Sequence, residues 1–435
     1  AAFYAELLAE IQSLDSVAQQ ENRFHFFLGA IVDESNRSLP PQSHRYADFS
    51  ALVRNGMRSV EHALENGGSG LPDSPVPVAF CSRCDWEMTC ERIWRERRDI
   101  SIVAGITLRE QELLRQADID TVDELVAAFE EQREELLDAI RNQSRREQLV
   151  RQARLQIASM DLPVPLHELR PPTSRIFERE DVQRGFHSLP QPKIGDIYMD
   201  FEDYEFHPSE EGRGQVPKVV LFGAVVGSEG LASASGHYIH EVAEHPDDEE
   251  RTFKSFLEHL RPLIPAPTIV EGDDDDRQDS RTPVFHFGAA EPSTFRRLVM
   301  RYGVGEDLLD RIRWVDLRQI TVRVATIGVH RYSLKELERI TGFDRSIPLT
   351  EIKLPAITYL RFLEAESTSD KDAILRNFVG YNEDDCRSLI ALRGWLESIR
   401  AAYEQTWPKG SFESKPFPKH PPKSKSGLEP EGPYE

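Results

Sequence analysis

The chain has 435 residues, of which 39% are hydrophobic and 29% charged, and its formal net charge is −22 at pH 7. That length exceeds one ordinary core, so two or three domains are expected, and with no apolar run of about 18 residues no membrane span and no membrane partner are expected, only a cytoplasmic location. So acidic a chain excludes broad coating of duplex nucleic acid, which relies on Lys and Arg, but not a nuclease whose site is acidic and whose substrate is held by local basic patches.

The chain opens without methionine at Ala1-Ala-Phe-Tyr-Ala-Glu-Leu-Leu8, as expected of a fragment or a processed form, and no signal peptide is read there. Three of its four cysteines cluster as Cys81-x2-Cys84-x5-Cys90. In a chain of this class such a group points to metal rather than to a disulfide. Three thiolates are one ligand short of a closed zinc site or a cubane cluster. His44 and His62 are the histidines a zinc site would recruit, with nothing to single them out. A cluster, a zinc ion and vacant cysteines all stay open, while Cys386 reads as a small buried hydrophobe.

From Val103 a glycine and a polar cap open an amphipathic helix, Asp118-Ile-Asp-Thr121 makes a turn, and a second helix begins at Val122. Arg141, Arg145, Arg146, Arg151 and Arg154 lie on the helix after it. They read equally as a track for a nucleic-acid backbone and as a solvated face with interleaved glutamates. Residues 161–190 are rich in proline and carry the main domain boundary. Strands are then expected at Asp196–Glu202, Val219–Val226 and His237–Ile239, and a helix over Glu249–Leu263. The run Glu271-Gly-Asp-Asp-Asp-Asp276 is a solvated loop by composition. A strand at Val284–Phe287 leads to a helix over Pro292–Tyr302, then a strand at Ile312–Leu317 and helices from Leu334. Ser333 is the expected N-cap there, with Glu336 completing a capping box. Three early strands followed by alternating helix and strand is the order of a mixed α/β sheet. The Pro-, Lys-, Gly- and Ser-rich stretch past 405 reads as a disordered linker.

Two stretches carry chemistry. Tyr198-Met-Asp-Phe-Glu-Asp203 lies in a strand-like run, so Asp200 and Glu202, two residues apart, share one face. Tyr381-Asn-Glu-Asp-Asp385 runs into an apolar periodic stretch, so Tyr381 and Asp385, four apart on a helix, also project together. Carboxylates gathered from a strand and a distant helix suit two-metal phosphodiester hydrolysis, with hard cations about 3.5–4 Å apart. Without metal they would raise one another's pKa. Alone, a D-x-E is usually a solvated strand face; the paired Y-x3-D shifts the reading to function. Arg311, Arg313, Arg318, Arg323, Arg331 and Lys335 lie near this site in sequence. They hold substrate phosphates in one reading and balance an acidic surface in the other.

The segment from about 190 to 398 resembles the RNase H-like DEDD exonuclease superfamily in its tyrosine-bearing form, DEDDy. The resemblance implies an α/β fold, an RNase H-like mixed sheet flanked by helices, behind a mostly helical N-terminal region. It implies metal ligands at Asp200, Glu202 and Asp385 and a water-orienting Tyr381. The family's second motif ends in Phe-Asp after a strand, where Val284-Phe-His-Phe-Gly-Ala-Ala-Glu-Pro292 offers Glu291, one methylene longer with the same charge. Trp314-Val-Asp-Leu317 resembles the following strand, and Asp316 is a second-rank acidic candidate or a strand-end cap. Residues 1–130 resemble the C-terminal end of a RecB-like nuclease domain of the iron–sulfur-staple type. The resemblance is carried by Ala2-Phe-Tyr-Ala-Glu-Leu-Leu8 and by Cys81-Ser-Arg-Cys-Asp-Trp-Glu-Met-Thr-Cys90. That family's fourth cysteine and catalytic residues would precede Ala1. Val103–Leu125 resembles a helix-hairpin-helix element lacking the glycine expected at Asp118, and a purely structural helical pair is the competing reading.

The expected organisation is a RecB-like remnant with the cysteine cluster over 1–100, a helical region over 101–160, a linker over 161–190, the exonuclease domain over 191–400 and a tail over 401–435. The expected function is 3′–5′ exonuclease action on single-stranded DNA or RNA, with two Mg²⁺ or Mn²⁺ on Asp200, Glu202, Glu291 and Asp385. A [4Fe–4S] cluster or Zn²⁺ at Cys81, Cys84 and Cys90, a helicase module or subunit as partner and a part in DNA repair go with that reading. The alternative is a non-catalytic nucleic-acid-binding or scaffold subunit, which Glu291 and the missing RecB-type half both favour.

Overall fold

The computed structural model describes residues 87–171, 185–207, 217–227, 236–266, 281–349, 351–352 and 354–407, with a few isolated positions before them. Cys84, His62, the acidic run 271–276, the tail past 407 and most of the segment read as RecB-like lie outside the described residues. Before residue 87 the described strands β1 (His25–Phe27) and β2 (Ser43–Arg45) pair antiparallel.

A helical region follows, with α1 (Glu87–Arg97), α2 (Leu108–Gln116), α3 (Val122–Glu130), α4 (Glu134–Ala139) and α5 (Gln143–Ser159). α2 and α3 each open on a capping box, Thr107 with Glu110 and Thr121 with Glu124. In the turn between them Asp118 takes φ 54°, the left-handed conformation a glycine would favour and aspartate tolerates better than most residues. Leu114, Ile119, Val122 and Leu125 close a core with Leu149, Val150 and Ala153 of α5. Of the five arginines, Arg141 precedes α5, Arg151 lies 3.9 Å from Glu168 beyond this region, and the other three are engaged within it. Arg145 donates to Glu110 (2.7 Å) and Gly105 O (2.7 Å), Arg146 to Arg141 O (2.9 Å), and Arg154 to Glu130 (2.8 Å).

The second region is built on a five-stranded mixed sheet. Its strands are β4 (Ile197–Tyr204), β5 (Lys218–Gly227), β6 (Gly236–Val242), β7 (Thr282–His286) and β8 (Ile312–Asp316), while β3 (His167–Leu169) and β9 (Ala325–Ile327) form a separate antiparallel pair. The order is β6-β5-β4-β7-β8, antiparallel across β6, β5 and β4 and parallel from β4 to β8. The helices are α6 (Glu249–Leu260), α7 (Ala290–Tyr302), α8 (Glu306–Leu309), α9 (Leu317–Val324), α10 (Leu334–Thr341), α11 (Pro355–Glu364) and α12 (Thr368–Thr406). β5 reads as a near-continuous apolar run because both its faces are covered. Ile197 and Met199 of β4 face a core with Phe253, Phe256 and Phe295 of α6 and α7. Tyr198, one residue out of phase, faces the core built with α9, α10 and α12. Period-2 alternation therefore puts Asp200 and Glu202 on the α12 side of the sheet.

Two expectations are corrected. Ser333 does cap α10 by accepting from Glu336 N (3.3 Å), but the Glu336 carboxylate accepts from Arg95 of α1 (2.8 Å) and no capping box forms. A guanidinium is a stronger donor than the neutral N–H of the cap. The last helix also runs past 405 to Thr406, with Tyr403 packed edge-on against Phe186 at 4.8 Å.

Candidate active site

β4 and α12 supply the acidic side chains. Asp200, Glu202 and Asp385 each place a carboxylate oxygen within 4.8 Å of the others, with Glu202 and Asp385 buried and Asp200 partly exposed. Burial first, and then Asp385 beside it, pushes Glu202 up to about 8. Burial and the charges of Glu202, Asp385 and Glu291 raise Asp200 well above the ordinary carboxylate range. A register shift in β4 falls between Glu202 and Asp203. Such bulges commonly re-aim a side chain at a site.

Asp385 sits between two cations. Arg345 donates to its Oδ1, and Lys335 Nζ lies 3.8 Å from its Oδ2. Arg345 is held in turn by Glu338, Nε to Oε2 at 2.9 Å. Tyr381, one turn before Asp385, is buried with Lys335 Nζ 4.8 Å above its ring. Burial, then the Asp385 charge, lifts its hydroxyl well above the usual phenol value, so Tyr381 is a neutral O–H donor across the physiological range. Burial alone would lower Lys335, but Asp385 and Tyr381 outweigh it and keep the ammonium charged.

Glu291 lies in the first turn of α7, only 6% exposed. It stands close enough to Asp200 to raise that group's pKa while lying outside the 4.8 Å cluster. Its Oε2 has no hydrogen-bond partner and faces His286 Nδ1 at 3.7 Å. Asp316 caps α9, its Oδ1 accepting from Gln319 N (3.1 Å) and Gly288 N (3.0 Å). Of the basic run, Arg318 donates to Tyr332 O, Arg331 to Glu87 and Arg313 to Ser188 O. Lys335 is the one that reaches the carboxylates. Cys81 and Cys90 are half-buried against the helical core, and Cys386 is fully buried. Among the described residues, Asp200, Glu202 and Asp385 form the one group able to gather three metal-ligating side chains.

Three residues of this site had no reading from sequence. Asn382 lies inside the Y-x3-D stretch, fully buried, and donates to Asp200. Asp384 accepts from Ile347 N (2.8 Å) and Ser346 Oγ (3.0 Å), which ties the segment bearing Arg345 to α12. For Asn382 the signal was present, a neutral polar residue among carboxylates at the start of an apolar helical stretch. For Arg345 no local signal exists.

Residues 197–397 match the family model of the RNase_H superfamily. This segment has an RNase H-like fold. No curated protein and no solved structure matches the chain. The RNase H-like domain and its acidic cluster support a metal-dependent nuclease, with nucleic acid as the partner that the domain implies. The donor set fits a divalent ion: oxygen donors only, two of them with raised pKa values, and an unpartnered carboxylate oxygen on Glu291 nearby. No helix among the described residues is long and apolar enough to cross a membrane.

Proposed function

We propose that this chain is a DEDDy-type exonuclease that removes nucleotides from the 3′ ends of single-stranded DNA or RNA. The observation that carries the reading is the meeting of Asp200, Glu202 and Asp385 within 4.8 Å, one turn of α12 from Tyr381. Asp200, Glu202, Asp385 and Glu291 would hold two Mg²⁺ or Mn²⁺, which supply Lewis-acid stabilisation of the phosphate oxygens and a nucleophile at neutral pH. Tyr381, a phenol that keeps its proton, orients the attacking water by hydrogen bonding. Lys335, charged and at the edge of the cluster, faces the incoming phosphate. The polarity, a helicase partner, cytoplasmic DNA repair and a [4Fe–4S] cluster or Zn²⁺ at Cys81, Cys84 and Cys90 belong to the same proposal and rest on the resemblance of motifs and spacing.

The test is cleavage of 5′-labelled single-stranded DNA and RNA in Mn²⁺ by wild type and Asp200→Ala. Loss of a ligand carboxylate is expected to lower the rate by about 100-fold or more. A ladder shortening from the 3′ end fixes the direction. A second reading, a non-catalytic nucleic-acid-binding subunit, is favoured by Arg345, which already neutralises Asp385 as a cation would. Nucleic-acid binding with no cleavage by either protein would establish it.

A further inference from the structure

Asn382 lies between the two carboxylates that β4 presents. Its Nδ2 donates to Asp200 Oδ2 at 2.9 Å and to Glu202 Oε1 at 3.4 Å, and it also reaches Asp200 O at 3.3 Å. The amide is fixed in that sense from behind, because the Tyr238 hydroxyl on β6 donates to Asn382 Oδ1 at 2.8 Å. An amide turned the other way would set its oxygen against the Asp200 and Glu202 carboxyl oxygens, where the amide nitrogen now donates. Room for the side chain exists only because the strand between carries Gly223. A Cβ there would fall 1.8 Å from Asn382 Oδ1 and 2.9 Å from the Tyr238 hydroxyl. Gly223 is the register partner of Asp200 and also of His240 on β6, so three adjacent strands converge on one amide.

We propose that Asn382 is the positioning residue of the metal centre: held by Tyr238 across Gly223, it fixes the rotamers of Asp200 and Glu202 so that both present their remaining oxygens to a divalent ion. This rests on the metal-dependent reading above. An amide suits the task because it donates to both carboxylates while adding no charge. A lysine or arginine there would neutralise the pair and compete with the ion, and an apolar residue would leave the buried Glu202 and the partly exposed Asp200 without this donor. Groups that orient metal ligands in this way typically contribute roughly 10–100-fold to metal affinity.

The experiment is a Mn²⁺ titration of the full chain, with free Mn²⁺ read by electron paramagnetic resonance, beside thermal unfolding in EDTA. Asn382→Ala is expected to weaken Mn²⁺ binding by roughly 10–100-fold. Tyr238→Phe, which keeps the ring and removes only the hydroxyl, should weaken it several-fold with unfolding in EDTA almost unchanged. It decides the matter alone if Asn382→Ala does not fold. Variants that bind Mn²⁺ as wild type does, whatever their unfolding temperatures, would overturn the inference and leave the nuclease reading standing. A wild-type chain that takes up no Mn²⁺ would overturn both.

Discussion

Glu202 holds its proton up to about pH 8, and Asp200 beside it also titrates well above the ordinary range, with burial the larger cause in both. Unfolded, such a glutamate titrates near 4.5. Between those values the folded state binds more protons than the unfolded one, so stability is greatest at the acid end and falls as pH rises. The loss for the metal-free cluster is on the order of a few kcal/mol. In EDTA, the wild-type unfolding temperature minus that of Glu202→Gln is therefore expected to fall from about pH 5 to pH 8. Saturating Mn²⁺ should abolish the fall, because the ligands are then ionised in the folded state. Calorimetry across that window reads the difference directly, and a flat or rising difference in EDTA rejects the assigned protonation. The pairs Asp200/Glu202 and Tyr381/Asp385 were legible because i,i+2 and i,i+4 are local periods that name a shared face before any fold is known. Arg345 was not, because the carboxylate it binds lies 40 residues away and no local spacing encodes such a contact; Asn382 stood out as a neutral residue among carboxylates, but its partner, 182 residues away, did not.

Among the elements, α6 shows how a buried charge sets a helix on the sheet. Glu249, its first residue, is fully buried. Its Oε1 accepts from Val219 N of β5 (2.7 Å), its Oε2 accepts from Tyr302 of α7 (2.5 Å), and Lys218 Nζ lies 3.5 Å away. One carboxylate thus ties a helix start to a central strand and to the next helix. Glu249→Ala strips Lys218 and the strand amide of their partner, and is expected to cost about 3–5 kcal/mol. Urea unfolding checks it, and a loss below about 1 kcal/mol would reduce the carboxylate to an ordinary surface pair. β5 could be read from its apolar run and α6 from its apolar stripe. The full length of α12 could not. Arg393 and Arg400 break its apolar period, yet both turn inward, Arg393 donating to Pro190 O and Arg400 to Leu189 O. A guanidinium buried on backbone carbonyls looks, in sequence, like a solvated position.

Across the whole molecule, the helical region is not an independent bead on the RNase H-like domain. β3, which follows α5, pairs with β9 inside the second region, and Gln152 of α5 donates to Ile327 O (2.8 Å). Arg95 and Glu87 of α1 form ion pairs with Glu336 and Arg331 at the start of α10, the helix whose Lys335 reaches the carboxylates. The proline-rich stretch marked a boundary in composition, but composition says nothing of strands pairing across it, so this docking was invisible in the sequence. Its tightest point is Gly328, where a Cβ would lie 2.1 Å from Ser159 Oγ and 2.5 Å from Leu155 O. Because the second of these is backbone, the helix itself must move to admit a methyl group. Gly328→Ala should therefore cost about 1–3 kcal/mol at the contact; its neighbours Ile327 and Val329 belong to the core under one face of the sheet, while the other core, built with α6 and α7, lies elsewhere and keeps its own stability. Calorimetry is expected to split into an early transition of the helical region and a later one near the wild-type temperature, with faster proteolysis between α5 and β4. One unshifted transition would mean that α5 yields without strain. One transition shifted as a whole would mean that the two regions unfold as a single cooperative unit.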